Sequence, residues 1–228
     1  MYLIRGLQNI DLFRNRYPES EIIATIGNFD GLHLGHQKII SDMKEIALKK
    51  HLKTLVIFTE PHAKEFFAEK SEFIEEPKRI SPWRDKFERL KTQDVDFAFY
   101  LKFNTKLQSM TPEHFIEAVL NNLNIKQLTI GDDFKFGKER SGDFDFLSDW
   151  GSNNQIEVDR IPTHSFEGRR VSSTWIRESI ADGNFDLAAK LLDRRYTFSG
   201  KVVFGNKVGR TIGAVSYTHL TLPTSDLV

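Results

Sequence analysis

Residues 25–40 read TIGNFDGLHLGHQKII, and three structural signals meet in this short stretch. The run that enters it, residues 21–26 (EIIATI), is short, apolar and β-branched, as suits a strand covered on both faces of a parallel sheet. Gly27 ends the run, and Asp30-Gly31 adds a second turn signal. After His33 the apolar residues Ile39, Ile40, Met43, Ile46 and Ala47 recur at the spacing of a helix buried along one face. Lys49 and Lys50 complement the dipole at the C-terminal end of that helix. A strand, a tight loop and a helix N-terminus in this order make an anion site, because unpaired backbone N–H groups and the dipole both face the loop. Phosphate is the expected ligand.

His33 and His36 are three residues apart, so a helix beginning near Leu32 puts both on one face of its first turn, above the anion site. Gly35 between them leaves the backbone open to close approach by a ligand. Gly27, Gly31 and Gly35 do not fit G-x-G-x-x-G, and no Walker pattern is present, so neither a dinucleotide fingerprint nor a P-loop is supported. Half a zinc site is the weaker reading of the histidines, since the chain has no cysteine and no third ligand stands beside the pair.

The stretch from Gly27 to His36 resembles the H-x-G-H signature of the nucleotidyltransferase superfamily. More narrowly, G-N-F-D-G-x-H-x-G-H resembles the adenylyltransferase module of bacterial bifunctional riboflavin kinase/FAD synthetases. The resemblance implies that His33 and His36, with Asn28, contact nucleotide phosphates during transfer, and that Gly27, Phe29, Asp30 and Gly35 belong to the ATP site. A second element lies some 140 residues on in the sequence, where residues 171–177 read VSSTWIR. Consecutive hydroxyls before a helix cap it and also suit a phosphate at the same terminus, and Arg177 adds positive charge one turn in. This element resembles the superfamily's S-S-T-x-x-R, which implies triphosphate contacts from Ser172, Ser173, Thr174 and Arg177. Read from the residues alone, the hydroxyls are equally a structural cap and Arg177 a surface ion pair.

A third polar, glycine-bounded loop follows the expected strand at 125–130, where residues 131–143 read GDDFKFGKERSGD. Phe134 and Phe136 alternate with charge, which suits two aromatic faces beside one planar ligand and equally suits two core side chains. Arg140 has the planar fork that grips phosphate. The loop resembles the same family's G-D/E-D/N-F-x-F-G-x-x-R-x-G-D motif. That resemblance implies a flavin pocket holding Asp132, Asp133, Phe134, Phe136 and Arg140, with one of the aspartates reaching magnesium through water. The strand at 53–58 runs into Thr59-Glu60-Pro61-His62-Ala63, where the family pattern places a flavin-side role on Pro61 and His62. This chain departs from it with Thr59 and Ala63, where an aromatic and a second proline are common.

Further strands are expected at 96–101 and 155–158, and helices from Trp83, from Pro112 at a first helical position, and over 185–192. Trp83, Phe87 and Leu90 form a stripe read as core. Residues 65–82 are mixed and charged and read as mobile surface. Strand and helix thus alternate from Ile22 to Leu192, predicting an α/β domain over residues 1–193, a Rossmann-like doubly wound parallel sheet of the H-x-G-H type. Residues 194–213, with a strand expected at 196–204, resemble the opening of the family's riboflavin kinase β-barrel, and residues 214–228 continue no family pattern and read as a sequencing artefact. Kinase activity is therefore expected to be absent.

The chain has 228 residues, room for a sizeable core, and 32 basic against 32 acidic side chains, which gives no global attraction to nucleic acid or acidic membrane. With no cysteine there are no disulfides and no thiolate chemistry. The N-terminus carries no secretory pattern and no stretch reaches membrane-spanning length, so a cytoplasmic protein is expected. The resemblance implies transfer of AMP from ATP, presented with Mg2+, to FMN, yielding FAD and pyrophosphate. Alternatives are a relative with another phosphate acceptor, or a non-catalytic flavin or nucleotide sensor.

Overall fold

The computed structural model describes residues 1–71, 73 and 78–200. Six parallel strands form its centre. In chain order the elements are β1 (Tyr2–Arg5), α1 (Ile10–Arg16), β2 (Ile22–Ile26), α2 (Leu34–Lys50), β3 (Lys53–Glu60), α3 (Ala63–Ala68), α4 (Trp83–Thr92), β4 (Phe97–Lys102) and α5 (Thr105–Gln108). There follow α6 (Pro112–Phe115), continued by a π turn over Ile116–Leu120, then β5 (Ile125–Gly131), α7 (Phe144–Asn154) and β6 (Glu157–Ile161). A small antiparallel pair, β7 (Ser165–Phe166) and β8 (Arg169–Arg170), leads to α8 (Ser173–Ala181) and α9 (Phe185–Leu192).

The strand order is β1-β4-β3-β2-β5-β6. From β2 the chain steps outward through β3 to β4, then returns to place β5 on the other side of β2. The order reverses between β2 and β5, and ligands of such sheets gather at the carboxyl ends of the strands flanking that reversal. Gly27 leaves β2 and Gly131 ends β5 at this edge.

The period-two rule divides the core. Ile22 and Ala24 of β2 join Leu55 and Ile57 of β3 in one buried cluster, with Phe13 from α1, Val119 from the π turn and Leu147 from α7. Ile23, Val56 and Phe58 point the other way and pack with Ile40, Met43 and Ala47 of α2 and Leu90 of α4. Each of the larger buried side chains, the alanines aside, stabilises the fold by about 1.5–3 kcal/mol. Helices on both faces are what makes the central strands mostly apolar along their middles.

Four expectations are corrected. β1 was not foreseen: its four residues carry no readable alternation, and it owes its place to parallel pairing with β4. The strand expected at 155–158 lies over Glu157–Ile161 instead, because Gln155 takes a left-handed conformation (φ 57°) that closes α7. The stretch read as mobile surface holds the buried residues Glu65, Phe66, Ile80 and Ser81, and residues 72 and 74–77 lie outside the description. Its charges are paired inward: Arg79 grips Glu65 through two bonds of 2.6 Å. No strand forms over residues 196–200, where the Tyr196 ring stacks on Phe185 of α9 at 6.3 Å. The remainder of that expected strand, the expected barrel opening beyond residue 200 and the tail at 214–228 lie outside the described residues.

Gly151 shows how tightly α7 sits on β6. A Cβ there would stand 2.6 Å from both the Ile156 carbonyl oxygen and Val158 Cγ2. Gly151→Ala is expected to destabilise the fold by about 1–3 kcal/mol, as overpacking does. An unchanged urea midpoint would contradict this packing.

Candidate active site

The loop between β2 and α2 has an unusual backbone. Phe29, Gly31 and Leu32 all have positive φ, at 50°, 76° and 44°, so the chain reverses twice before the helix starts. Phe29 turns its ring inward, where it is buried and lies 4.9 Å from the His36 ring. Asp30 is 6 % exposed and its carboxylate accepts from the backbone N–H groups of Ile80 (3.3 Å) and Ser81 (3.2 Å) and from Arg177 Nη2 (2.6 Å). Its backbone oxygen accepts from Ser173 Oγ at 3.1 Å. One residue therefore joins the loop, the 78–81 segment and the start of α8.

His33 is the N-cap of α2 rather than part of its first turn, and its Nδ1 accepts from His36 N at 3.4 Å. The two imidazoles stack at 3.7 Å with planes 16° apart. Gly35 makes room for this: a Cβ at that position would lie 3.2 Å from the His33 ring and 3.7 Å from the Val171 carbonyl oxygen. Burial lowers His33 to about 4, with Asp30 opposing and Arg170 and Arg177 reinforcing the shift. Burial likewise holds His36 well below the usual imidazole range, with help from His33 and Lys86. Both rings are neutral at pH 7. Because Nδ1 of neutral His33 accepts, its proton sits on Nε2, which is the atom left to donate. His36 Nδ1 has no partner among the described residues.

At the start of α8, Ser172 Oγ caps the helix by accepting from Trp175 N at 3.2 Å, while Ser173 is engaged with Asp30. Thr174 follows in the first turn. Arg177 spends two donors within the protein, Nε on the Lys78 carbonyl oxygen (2.7 Å) and Nη2 on Asp30. Its ion pair is far less exposed than a surface pair. The N-termini of α2 and α8 thus stand side by side, a concentration of unpaired N–H groups and positive dipole ends.

Other expected positions border this centre. Asn28 Oδ1 accepts from Thr59 Oγ1 at 3.2 Å across the ends of β2 and β3. His62 caps α3: its Nδ1 accepts from Lys64 N at 3.0 Å, and its backbone N–H donates to Glu65 Oε2 at 2.9 Å. Burial lowers its pKa, with Glu65 opposing. Pro61 is preceded by a cis peptide bond. Beyond β5, Asp133 pairs with Arg170 at 2.7 Å and Asp132 accepts from Thr163 Oγ1. Phe134 and Phe136 stack on each other with centroids 5.7 Å apart, too close for a planar ligand between them, which needs about 7–8 Å at ordinary contact distances. Phe136 is buried against Phe115 and Phe146, so Phe134 carries the aromatic surface still partly accessible. Arg140 is exposed on the same loop.

Two features were missed in the sequence. Arg170, which follows Arg169 in β8, bridges the 131–133 loop and the field around His33. Beneath the site, Glu60 accepts from Lys86 at 2.8 Å and from Arg79, which also holds Glu65, so four buried or half-buried charges balance one another. The signal for Arg170 was its position immediately before the V-S-S-T element. Pairs distant in sequence, as in the Glu60 network, left none.

Residues 16–175 match the family described as FAD synthetase. The chain is 38 % identical over 213 residues to "Bifunctional riboflavin kinase/FMN adenylyltransferase" of Buchnera aphidicola, covering 93 % of this chain and 65 % of that protein. It is 36 % identical over 214 residues to the protein of the same description from Escherichia coli, covering 93 % of this chain and 66 % of the relative. The chain thus spans slightly less than two thirds of the curated relatives it matches. Among solved structures, it superposes with a TM-score of 0.71 and 25 % identity on one titled as a macrolide-efflux protein from Streptococcus pneumoniae, covering 86 % of this chain and 62 % of the other. A pantoate-beta-alanine ligase from Francisella tularensis, complexed with "Beta-gamma ATP" and beta-alanine, matches at TM-score 0.52 and 14 % identity over 85 % of this chain and 78 % of its own, a likeness of fold alone. No helix among the described residues is long and apolar enough to cross a membrane.

The buried histidines make stability pH-dependent. Their folded values lie below those of the unfolded chain, so on acidification the unfolded chain binds protons first. Their contribution is complete above about pH 6.5; that of His33 is lost as the pH falls toward 4, and that of His36 goes on falling in more acidic solution. The melting temperature is expected to drop across that window, and His33→Gln to flatten the drop. A His33→Gln profile parallel to that of the wild type would refute the buried neutral ring.

Proposed function

We propose that this chain, which belongs to the FAD synthetase family, transfers AMP from ATP to FMN. A phosphate oxygen of FMN attacks the α-phosphorus of ATP, the bond from that phosphorus to the bridging oxygen breaks, and pyrophosphate leaves with the electron pair. FAD is the product, and no covalent enzyme intermediate is needed. The observation that carries this reading is the stacked, neutral histidine pair on the N-terminus of α2, set against the hydroxyl-rich N-terminus of α8 at the reversal of the sheet.

In such a transfer the protein aligns nucleophile and leaving group and stabilises the charge that develops on phosphate oxygens. His33 donates from Nε2 to a phosphate oxygen, and His36 lies stacked against it. Arrival of a polyanion favours the protonated rings, which places positive charge where it is needed only when substrate is present. Asn28 and the backbone at Gly27, Asp30 and Gly35 complete the phosphate cradle, behind which the Phe29 ring braces His36. Thr174 and Arg177 face the leaving pyrophosphate, with Ser172 and Ser173 keeping the α8 terminus open toward it. Arg177 retains donors beyond the two already engaged.

Flavin is assigned to the loop after β5, where Phe134 offers a ring face and Phe136 braces it from the core. Asp132, Asp133 and Arg140 flank that ring, and Pro61 and His62 close the β3 side. Magnesium enters with ATP as part of the substrate. Magnesium prefers oxygen ligands and keeps several waters, so Asp132 or Asp133 is assigned to touch it through water. The reaction so read is cytoplasmic, where ATP and FMN are available. The kinase named in the relatives' description is assigned to no residue described here.

Incubating the protein with FMN, ATP and magnesium should give FAD and pyrophosphate in equal amounts, and riboflavin in place of FMN should give neither. His36→Ala should slow single-turnover FAD formation about 100- to 10,000-fold, the usual range for a positioned catalytic group. A loss under threefold would remove His36 from the mechanism. Ligand binding without pyrophosphate release from folded protein would favour a sensor.

A further inference from the structure

The loop that delivers His33 is irregular and buried, so its backbone carbonyls need donors from elsewhere. They come from the C-terminal end of α9 and from α2 itself. Arg194 Nη2 donates to the Gly31 carbonyl oxygen at 2.5 Å, and Nη1 donates to the Leu192 carbonyl oxygen at 2.8 Å. Gln37, in the first turns of α2, donates Nε2 to the same Leu192 oxygen at 3.0 Å and to the Leu32 oxygen at 2.9 Å. Two side chains and three carbonyls thus tie the end of α9 to the turn carrying both histidines.

What they hold is conformationally costly. Leu32 is a non-glycine residue at φ 44°, and such a conformation costs on the order of 1–3 kcal/mol unless its surroundings impose it. Gly31, at φ 76°, meets Ile80 on its other side, where a Cβ would come within 2.8 Å of Ile80 Cγ2. The turn is therefore pressed between the 78–81 segment and the Arg194 guanidinium. A charged fork is a long way to satisfy two carbonyls: burial lowers the guanidinium to about 10, still cationic at pH 7, and Nε is left without a partner among the described residues. Stability alone would be served as well by a smaller neutral donor. A rigid planar fork instead fixes the spacing of two backbone segments.

We infer that Arg194 is a positioning residue of the adenylyl-transfer site, acting through the Gly31 carbonyl to hold the left-handed turn that sets the His33 imidazole against His36. The inference rests on the proposed transfer for its kinetic consequence but not for its structural one. Arg194 lies beyond the matched family segment, which ends at residue 175, and it contacts no reacting atom on this reading.

The test compares Arg194→Ala and Arg194→Gln with Arg195→Ala, an exposed neighbour that controls for loss of charge. NMR titration of the labelled His33 imidazole, which needs no substrate, should show its pKa rising by at least one unit toward 6.5 in both Arg194 variants and staying at the wild-type value in Arg195→Ala. In steady-state FAD synthesis kcat should fall about 10- to 100-fold, the scale of a small displacement of a positioned group, with the KM for ATP changed less than threefold. The glutamine variant keeps most of the side-chain bulk and decides the question by itself if the alanine variant does not fold. An unmoved His33 titration in a folded Arg194 variant would overturn the inference, whatever the activity. An unchanged kcat alongside a shifted titration would overturn it as a statement about catalysis. A wild-type protein that makes no FAD would defeat the proposed transfer while leaving the titration to judge the turn.

Discussion

A carboxylate taken out of water must find donors nearly all round, and Asp30 finds three of them on two separate parts of the chain. Two are amides of the 78–81 segment, the third is the Arg177 guanidinium, and the carboxylate is 6 % exposed. Removing one partner of such a pair typically costs on the order of 3–5 kcal/mol, because the charge left behind stays buried. The arrangement is therefore nearly all or none. Satisfying Asp30 brings α8 against the start of α2, sets Ile80 under Gly31, and leaves the two helix N-termini facing the same space. The neighbouring Glu60, Glu65, Arg79 and Lys86 network repeats the principle at the end of β3.

Against that positive surrounding, the neutrality of the histidines is a consequence of geometry. Two imidazoles at 3.7 Å can hardly both be charged in a buried place, and Arg170, Arg177 and Lys86 add to the penalty. The unliganded site thus stores little net charge beyond its arginines and dipoles. On the proposed function, a phosphate chain changes the balance by bringing further negative charge to the site. Charge in the site then tracks occupancy, which suits a reaction whose substrate carries several negative charges and whose product departs with most of them.

How much of this was legible in the sequence depended on the range of the interactions. The sheet was readable from β2 to β5 because buried parallel strands are apolar runs and the helices between them keep a 3.6-residue period, whereas β6, a partly exposed edge strand reading EVDRI, was placed too early. β1 was not readable, since Tyr2–Arg5 is too short to show a pattern and gains its identity from β4, nearly a hundred residues away. Within the site, the histidines, the hydroxyl cluster and the β5 loop were found because each is contiguous. Residues 65–82 were misread for the opposite reason: a charged composition describes a solvated surface and an inward-paired network equally well, and only the partners at Asp30 and Glu60 tell them apart. Phe136 is a milder case, its alternation with Phe134 being common to a ligand slot and to a core edge.

The glycines of the first motif show why sequence and geometry must be read together. From spacing alone, Gly35 reads as an opening for a ligand. In the fold its missing Cβ makes room first for the His33 ring, with the Val171 carbonyl close behind. Gly31 likewise is required by its positive φ and by Ile80, before any ligand is considered. On the proposed function, both residues act on phosphate chemistry through the imidazole they let into place. A motif that looks like a list of ligand contacts is in large part the set of conditions under which two side chains, His33 and His36, can occupy a position that no regular element would give them.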